Sequence, residues 1–230
     1  MNYPEIHKSY IRSWQFARDD FSPLLEKLLS GTLPEYKVIY HTRHKECRLI
    51  SGQEISPVVF KLYREKRFFR YLFRPSQAYR EFMGFKLTSD AGIPVAEVVA
   101  LGEKRSFLYL KEAFFVTEYL TGFRDGDIFT RAGCDEMQKD RFIRINLSYL
   151  ARLHNAGLVH GGFHPRNELF KLDENGDMSV VWIDLATVAP EGRNRRFSCK
   201  GDVNCFLREF ALDPEKEADY RAYYASLCCK

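Results

Sequence analysis

A few side chains in this 230-residue sequence are of types, and at spacings, that could act together on a charged ligand. Lys61 interrupts an apolar run, SPVVFKLY, and a buried ammonium is costly unless an anion meets it. Glu81 follows 20 residues later in a segment with helical spacing, placed to form an ion pair with Lys61 between strand and helix. The alternative for this stretch is an edge strand whose Lys61 points into water. Further on, the stretch from Ala151 to Asp184 (ARLHNAGLVHGGFHPRNELFKLDENGDMSVVWID) carries His160, His164 and Asn167 in one polar loop. The apolar run Val180, Val181, Trp182, Ile183 then delivers Asp184 at a strand end. An acceptor-rich loop followed by such a carboxylate is a means of holding Mg²⁺ against a nucleotide.

Short elements must position these groups. Residues 1–35 read as a helical lead-in, with Ser22 as cap, Pro23 at the first helical position and Gly31 as stop in SPLLEKLLSG. YKVIYHT, CRLIS and SPVVFKLY alternate as three strands of a meander. A helix follows over Ser76 to Ser89, burying Ala78, Phe82, Phe85 and Leu87. EVVALGE and SFLYLKEAFFVTEYL supply two more strands, which completes a five-stranded antiparallel sheet carrying one helix. Asp125 and Asp127 lie in a polar turn, where capping the next helix is their expected role. A long amphipathic helix then runs from Cys134 to Gly157, burying Ile143, Leu147, Leu150 and Leu153, and Gly157 suits the left-handed position after its end. The Ala151–Asp184 stretch is expected to continue as a short strand, a loop and one further strand. Two helices close the chain, the first with Asp202 near its start and the second entered through Asp213 and Pro214.

Composition narrows the class. With 45% hydrophobic and 29% charged residues the chain is globular. It has no apolar run long enough for a membrane span and no secretory signal core, so a cytoplasmic location is expected. The six cysteines match neither zinc-pair nor disulfide spacing, so reduced and mostly buried thiols are expected. Net charge is +4, and between Lys61 and Arg80 seven basic residues and six aromatics share the stretch with one acid, Glu65. That tract suits an anionic partner such as a phosphorylated lipid, a membrane surface or nucleic acid. Its alternative is a solvated basic face with the aromatics turned inward.

Lys61, Glu81, the loop HGGFHPRN with Asn167, and Asp184 come in the order and approximate spacing of the protein-kinase-like superfamily. The phrase RFFRYLFRPSQAYREF, the following AGIPV and the short second half make the sequence similar, more specifically, to the bacterial lipopolysaccharide-core kinases, the Kdo and heptose kinases. The resemblance covers about residues 36–210. It implies an α+β, two-lobe fold, with an N-terminal lobe over 1–119 and a short, mainly helical C-terminal lobe over 120–230. It also implies transfer of the ATP γ-phosphate to a sugar hydroxyl of a lipopolysaccharide core or lipid A precursor, at the inner face of the inner membrane. Lys61 would hold the nucleotide phosphates and Glu81 would orient Lys61. Glu118 would lie in the connector that meets adenine, and Asn167 and Asp184 would bind Mg²⁺. His160 would brace the loop, and Asp202 would anchor its backbone.

Two positions depart from the family pattern. Gly162 stands where the catalytic Asp is expected, leaving His164 as the nearest substitute base or as a contact to the transferred phosphate. The turn HTRHKEC contains no glycine, so Arg43, His44 and Lys45 would have to meet phosphate by charge. Glycine at both 161 and 162 is expected to loosen the loop. A kinase and a pseudokinase scaffold of the same fold therefore both stand, and nucleic-acid binding through 61–80 is set aside because it leaves Asn167 and Asp184 without a role.

Overall fold

The computed structural model describes residues 15–17, 36–52, 55–64, 75–106, 109–192 and 197–228. They fall into two compact units, one up to Met83 together with Ala96–Leu120, the other Gly84–Val95 with the residues from Thr121 onward. Most of the lead-in, including SPLLEKLLSG, and residues 65–74 of the basic-aromatic tract lie outside the described residues. No helix among the described residues is long and apolar enough to cross a membrane.

The first unit is built on one antiparallel sheet. Its strands are β1 (Gln15–Ala17), β2 (Tyr36–His41), β3 (Lys45–Gly52), β4 (Ile55–Arg64), β5 (Val98–Ser106) and β6 (Tyr109–Glu118). Their spatial order is β1-β5-β6-β4-β3-β2. The five expected strands are present. The sixth, β1, comes from the lead-in, where a helix was expected: its three residues pair with Gly102, Leu101 and Ala100 of β5. Three residues are too few to show a strand period, so this pairing leaves no mark in the sequence. The core under the sheet includes Ile50, Val58, Phe60, Val99, Phe114 and Val116, with the Phe60 and Phe114 rings stacked 5.9 Å apart. β4 runs between β3 and β6, with Lys61 opposite Cys47 and Phe115. The edge-strand alternative for Lys61 therefore fails.

Helix α1 (Gln77–Asp90) begins where expected, with the Ser76 hydroxyl accepting the Tyr79 N–H at 3.0 Å. Ala78, Phe82 and Phe85 are buried as predicted; Leu87 is only half-buried, and Thr88 is buried instead. The last turns of α1 belong to the second unit, where Gly84 permits a close approach. A Cβ added there would stand 1.8 Å from the carbonyl oxygen of Leu185.

The second unit holds α2 (Glu136–Asn155), α3 (Cys199–Arg208), α4 (Pro214–Leu227) and short strands β7 (Arg124–Asp125), β8 (Leu158–Val159), β9 (Glu168–Leu172), β10 (Met178–Trp182) and β11 (Ala189–Pro190). Asp125 precedes a short 3-10 turn, Gly126–Thr130, but its side chain makes no capping bond. The long helix is capped by Asp135, which accepts from Gln138 N–H at 2.9 Å. β9 was not expected: a hairpin with β10 replaces a single strand, turning at Asp173–Asp177 with Gly176 at φ 80°. The Asn175-Gly176 pair between two alternating runs was the available signal. Gly157 takes φ 72° just past α2, as predicted. Cys134, Cys199, Cys205 and Cys228 are free thiols, partly exposed rather than buried.

Aromatic rings fill this unit. Phe129 lies 4.7 Å from Phe170 and 5.0 Å from Phe142, and Phe163 lies 4.6 Å from both Trp182 and Phe206. Trp182 is fully buried, and its indole N–H donates to Asn146 Oδ1 at 2.8 Å, while Asn146 Nδ2 donates to the Phe142 carbonyl at 3.0 Å. Asn146→Leu strands that indole N–H and is expected to lower unfolding free energy by about 1–3 kcal/mol. Denaturant midpoints check this, and an unchanged midpoint would contradict the assignment.

Candidate functional site

In the first unit, Lys61 and Glu81 meet. Lys61 Nζ donates to Glu81 Oε1, and Tyr63 Oη donates to Glu81 Oε2. Glu81 is fully buried and Lys61 is 7% exposed, so each charge leans on the other. Tyr63 was missed from the sequence. Its signal was its place two residues beyond Lys61, on the same face of β4. Glu118 closes β6, where its carboxylate accepts the Glu97 N–H at 3.0 Å and its own N–H donates to the Glu97 carbonyl. The neighbouring Tyr119 N–H is also engaged, donating to the Pro57 carbonyl at 2.8 Å. The turn between β2 and β3 folds on Thr42 in place of glycine, with the His44 and Lys45 N–H groups directed at the Thr42 hydroxyl. Those amides serve the turn, so charge at this tip comes from the side chains of Arg43, His44 and Lys45.

In the second unit, the loop between β8 and β9 is held from α3. Asp202, 3% exposed, accepts the N–H of His160 at 2.7 Å and of Gly161 at 2.8 Å. The paired glycines do not leave the loop slack. Gly161 adopts φ 74°, its amide is bound, and the Phe197 ring stands 2.5 Å from where its Cβ would lie. Gly162 is exposed, and a Cβ there would meet only Thr187 Oγ1, at 3.7 Å. His164 bonds through Nε2 to Glu209 Oε2 at 3.1 Å, and its Nδ1 accepts from Arg166 N–H at 3.5 Å. Glu209 was not foreseen; nothing in the sequence marks a residue 45 positions away as the partner of His164.

Asn167 and Asp184 are brought together by the backbone. The Asn167 carbonyl accepts from Ile183 N–H at 2.8 Å, which places the residue next to Asp184 against the loop. Asp184 itself sits at φ 58°, a left-handed conformation that a non-glycine residue keeps only where its surroundings enforce it. Both residues offer hard oxygen donors of the kind Mg²⁺ takes. Among the described residues no group of three or more His, Cys, Asp or Glu side chains could hold a metal ion.

These short-range facts define a loop, two oxygen donors and a buried Lys–Glu pair. The profile of the lipopolysaccharide kinase (Kdo/WaaP) family matches residues 57–226. The chain belongs to this family. Among solved structures it is similar to WaaP in complex with acyl carrier protein, with TM-score 0.70 and 16% identity over 92% of this chain and 88% of that one. At that identity the likeness speaks for the fold, which is protein-kinase-like. No curated protein matches the sequence.

His160 contributes packing. Its ring lies 5.1 Å from Phe163 and 5.6 Å from Trp182, and neither ring nitrogen has a hydrogen-bond partner among the described residues. Burial drives its pKa from 6.5 down to about 4, against the pull of Asp202 and Asp184. The unfolded chain therefore takes up a proton in that interval that the folded chain refuses, and stability falls as pH drops from about 6.5 to about 4. Buried Glu168, whose pKa burial raises, has the opposite slope from 4.5 upward. Comparing wild type with His160→Phe cancels that contribution. The wild-type stability, relative to the variant, is expected to rise by about 3 kcal/mol across the interval. A pH-independent difference would show that His160 is solvated.

Proposed function

We propose that this chain is an ATP-dependent kinase of lipopolysaccharide inner-core sugars, transferring the γ-phosphoryl group to a sugar hydroxyl, and slow for want of a catalytic-loop acid. The observation that carries the proposal is the loop of the second unit, clamped by Asp202 and joined through Asn167 to the backbone beside Asp184. Mg-ATP, when bound, would supply the transferable group and a cation to offset the charge of the phosphates. Lys61 would add positive charge at the nucleotide phosphates, its direction fixed by Glu81 and, through Glu81, by Tyr63. Asn167 Oδ1 and the Asp184 carboxylate would hold the cation. Glu118 would border the nucleotide at the connector, and Arg43, His44 and Lys45 would face the phosphates.

The acceptor hydroxyl attacks the γ-phosphorus, the bond to ADP breaks, and the hydroxyl proton must leave. Gly162 has no atom to take it. A positioned base typically contributes about 10²–10⁴-fold, whereas positioning and electrostatics supply most of phosphoryl transfer. A reduced rate follows, with water or His164 left to receive the proton. The acceptor, a core sugar or lipid A precursor, carries anionic groups that suit the basic-aromatic tract over 61–80 and a peripheral place at the inner face of the inner membrane.

A second reading, a pseudokinase that keeps the fold as a scaffold, is favoured by Gly162 and by the glycine-free turn at Thr42. Gly162→Asp separates the two, since the position is open to a side chain. With labelled ATP and a core-oligosaccharide acceptor, Gly162→Asp is expected to raise turnover by about 10²-fold or more, and Lys61→Met to abolish it. A wild type already fast, with no gain in the variant, would place the base elsewhere. No transfer by either protein would leave the scaffold reading.

A further inference from the structure

The Asp202 clamp does not end at α3. His154, near the end of α2, bonds through Nε2 to Asp202 Oδ2 at 3.3 Å and through Nδ1 to the Tyr224 hydroxyl of α4 at 2.5 Å. The two rings meet edge to face, their centroids 5.7 Å apart. The direction of the chain follows from its fixed end. Asp202 already accepts two backbone N–H groups and, as a carboxylate, can only accept again, so His154 carries its proton on Nε2. Nδ1 is then an acceptor, and Tyr224 donates to it. A continuous line runs from Tyr224 O–H through His154 and Asp202 to the His160 and Gly161 amides.

We infer that Tyr224 is a positioning residue for the loop over 160–167, acting through His154 and Asp202, so that the last helix of the chain sets the stiffness of the loop. The inference rests on the proposed function for its catalytic meaning but not for its geometry. Without the Tyr224 donor, His154 Nδ1 is left unpaired in a buried site. The ring is then free to change tautomer or turn, and Asp202 loses the group that fixes its orientation. Among the described residues, four other polar ties join α4 to α2: Tyr220 Oη donates to Asp140 at 3.0 Å, Arg144 donates to Asp219 at 2.6 Å, Lys216 Nζ donates to Glu136 at 3.2 Å, and Asn155 Nδ2 donates to the Leu227 carbonyl at 3.0 Å. None of these four bonds involves His154 or Asp202. Tyr220→Phe therefore serves as a control that loosens the docking of α4 by a comparable bond.

Native-state amide exchange on the full chain tests this without any need for activity. In Tyr224→Phe the His160 and Gly161 amides are expected to exchange roughly five- to tenfold faster, the effect of one lost hydrogen bond. The imidazole ¹⁵N signals of His154 should shift with them. In Tyr220→Phe both should stay at wild-type values even where the melting temperature falls equally. Unchanged exchange in Tyr224→Phe, or equal acceleration in Tyr220→Phe, would overturn the inference. In a Gly162→Asp background, Tyr224→Phe should lower kcat several-fold with the KM for ATP unchanged. If the exchange and ¹⁵N changes appear but no variant transfers phosphate, the proposed function fails and the positioning role stands.

Discussion

The backbone N–H groups of His160 and Gly161 open a loop that has no strand or helix partner at that point, and the buried carboxylate of Asp202 supplies one. A carboxylate 3% exposed is costly unless its charge is met, and here two amides and the His154 imidazole meet it. Once those amides are fixed, Gly161 is held in its left-handed conformation and Phe163 enters the ring cluster of Trp182 and Phe206. His164 and Asn167 follow in a short turn, and the Asn167 carbonyl takes the Ile183 N–H. The conformation of Asp184 comes last in this sequence of constraints. Loss of the Asp202 carboxylate would leave the His160 and Gly161 amides without that partner.

The first unit repeats the same principle with a single acid. Glu81 has two donors, Lys61 and Tyr63, on one face of a central strand. Burying an ion pair gives little net stability. What it does give is a direction for the Lys61 ammonium, which is what a phosphate-binding role requires.

Much of this was legible in the sequence. Lys61 announced itself as a charge in an apolar run, Glu81 as a carboxylate on a helix at the right remove, and Asp202 as the acid near a helix start. The five expected strands and the long helices carried clear periods. Other features were silent for physical reasons. β1 is three residues long, too short for a pattern, and β9 was hidden although Asn175-Gly176 marked its turn. Leu87 yielded its buried place to Thr88. Glu209, His154 and Tyr224 act through contacts 45 to 70 residues apart in sequence, which only the fold creates. Asp125 was given a capping role that Asp135 fills.

The two departures from the family pattern fall on chemistry more than on architecture. In the proposed function Gly162 would leave no proton acceptor at its position, while the Asp202 clamp on His160 and Gly161 is intact. The turn at Thr42 offers side-chain charge where glycine amides were expected. Under the proposed function, Lys61, Asn167 and Asp184 would still be there to meet nucleotide and cation. Calorimetric titration of the purified chain with ATP, with and without Mg²⁺, tests that most directly. The account predicts ATP binding that requires Mg²⁺ and is markedly weakened in Asp184→Asn. Absence of binding, or binding indifferent to both the cation and Asp184, would contradict it.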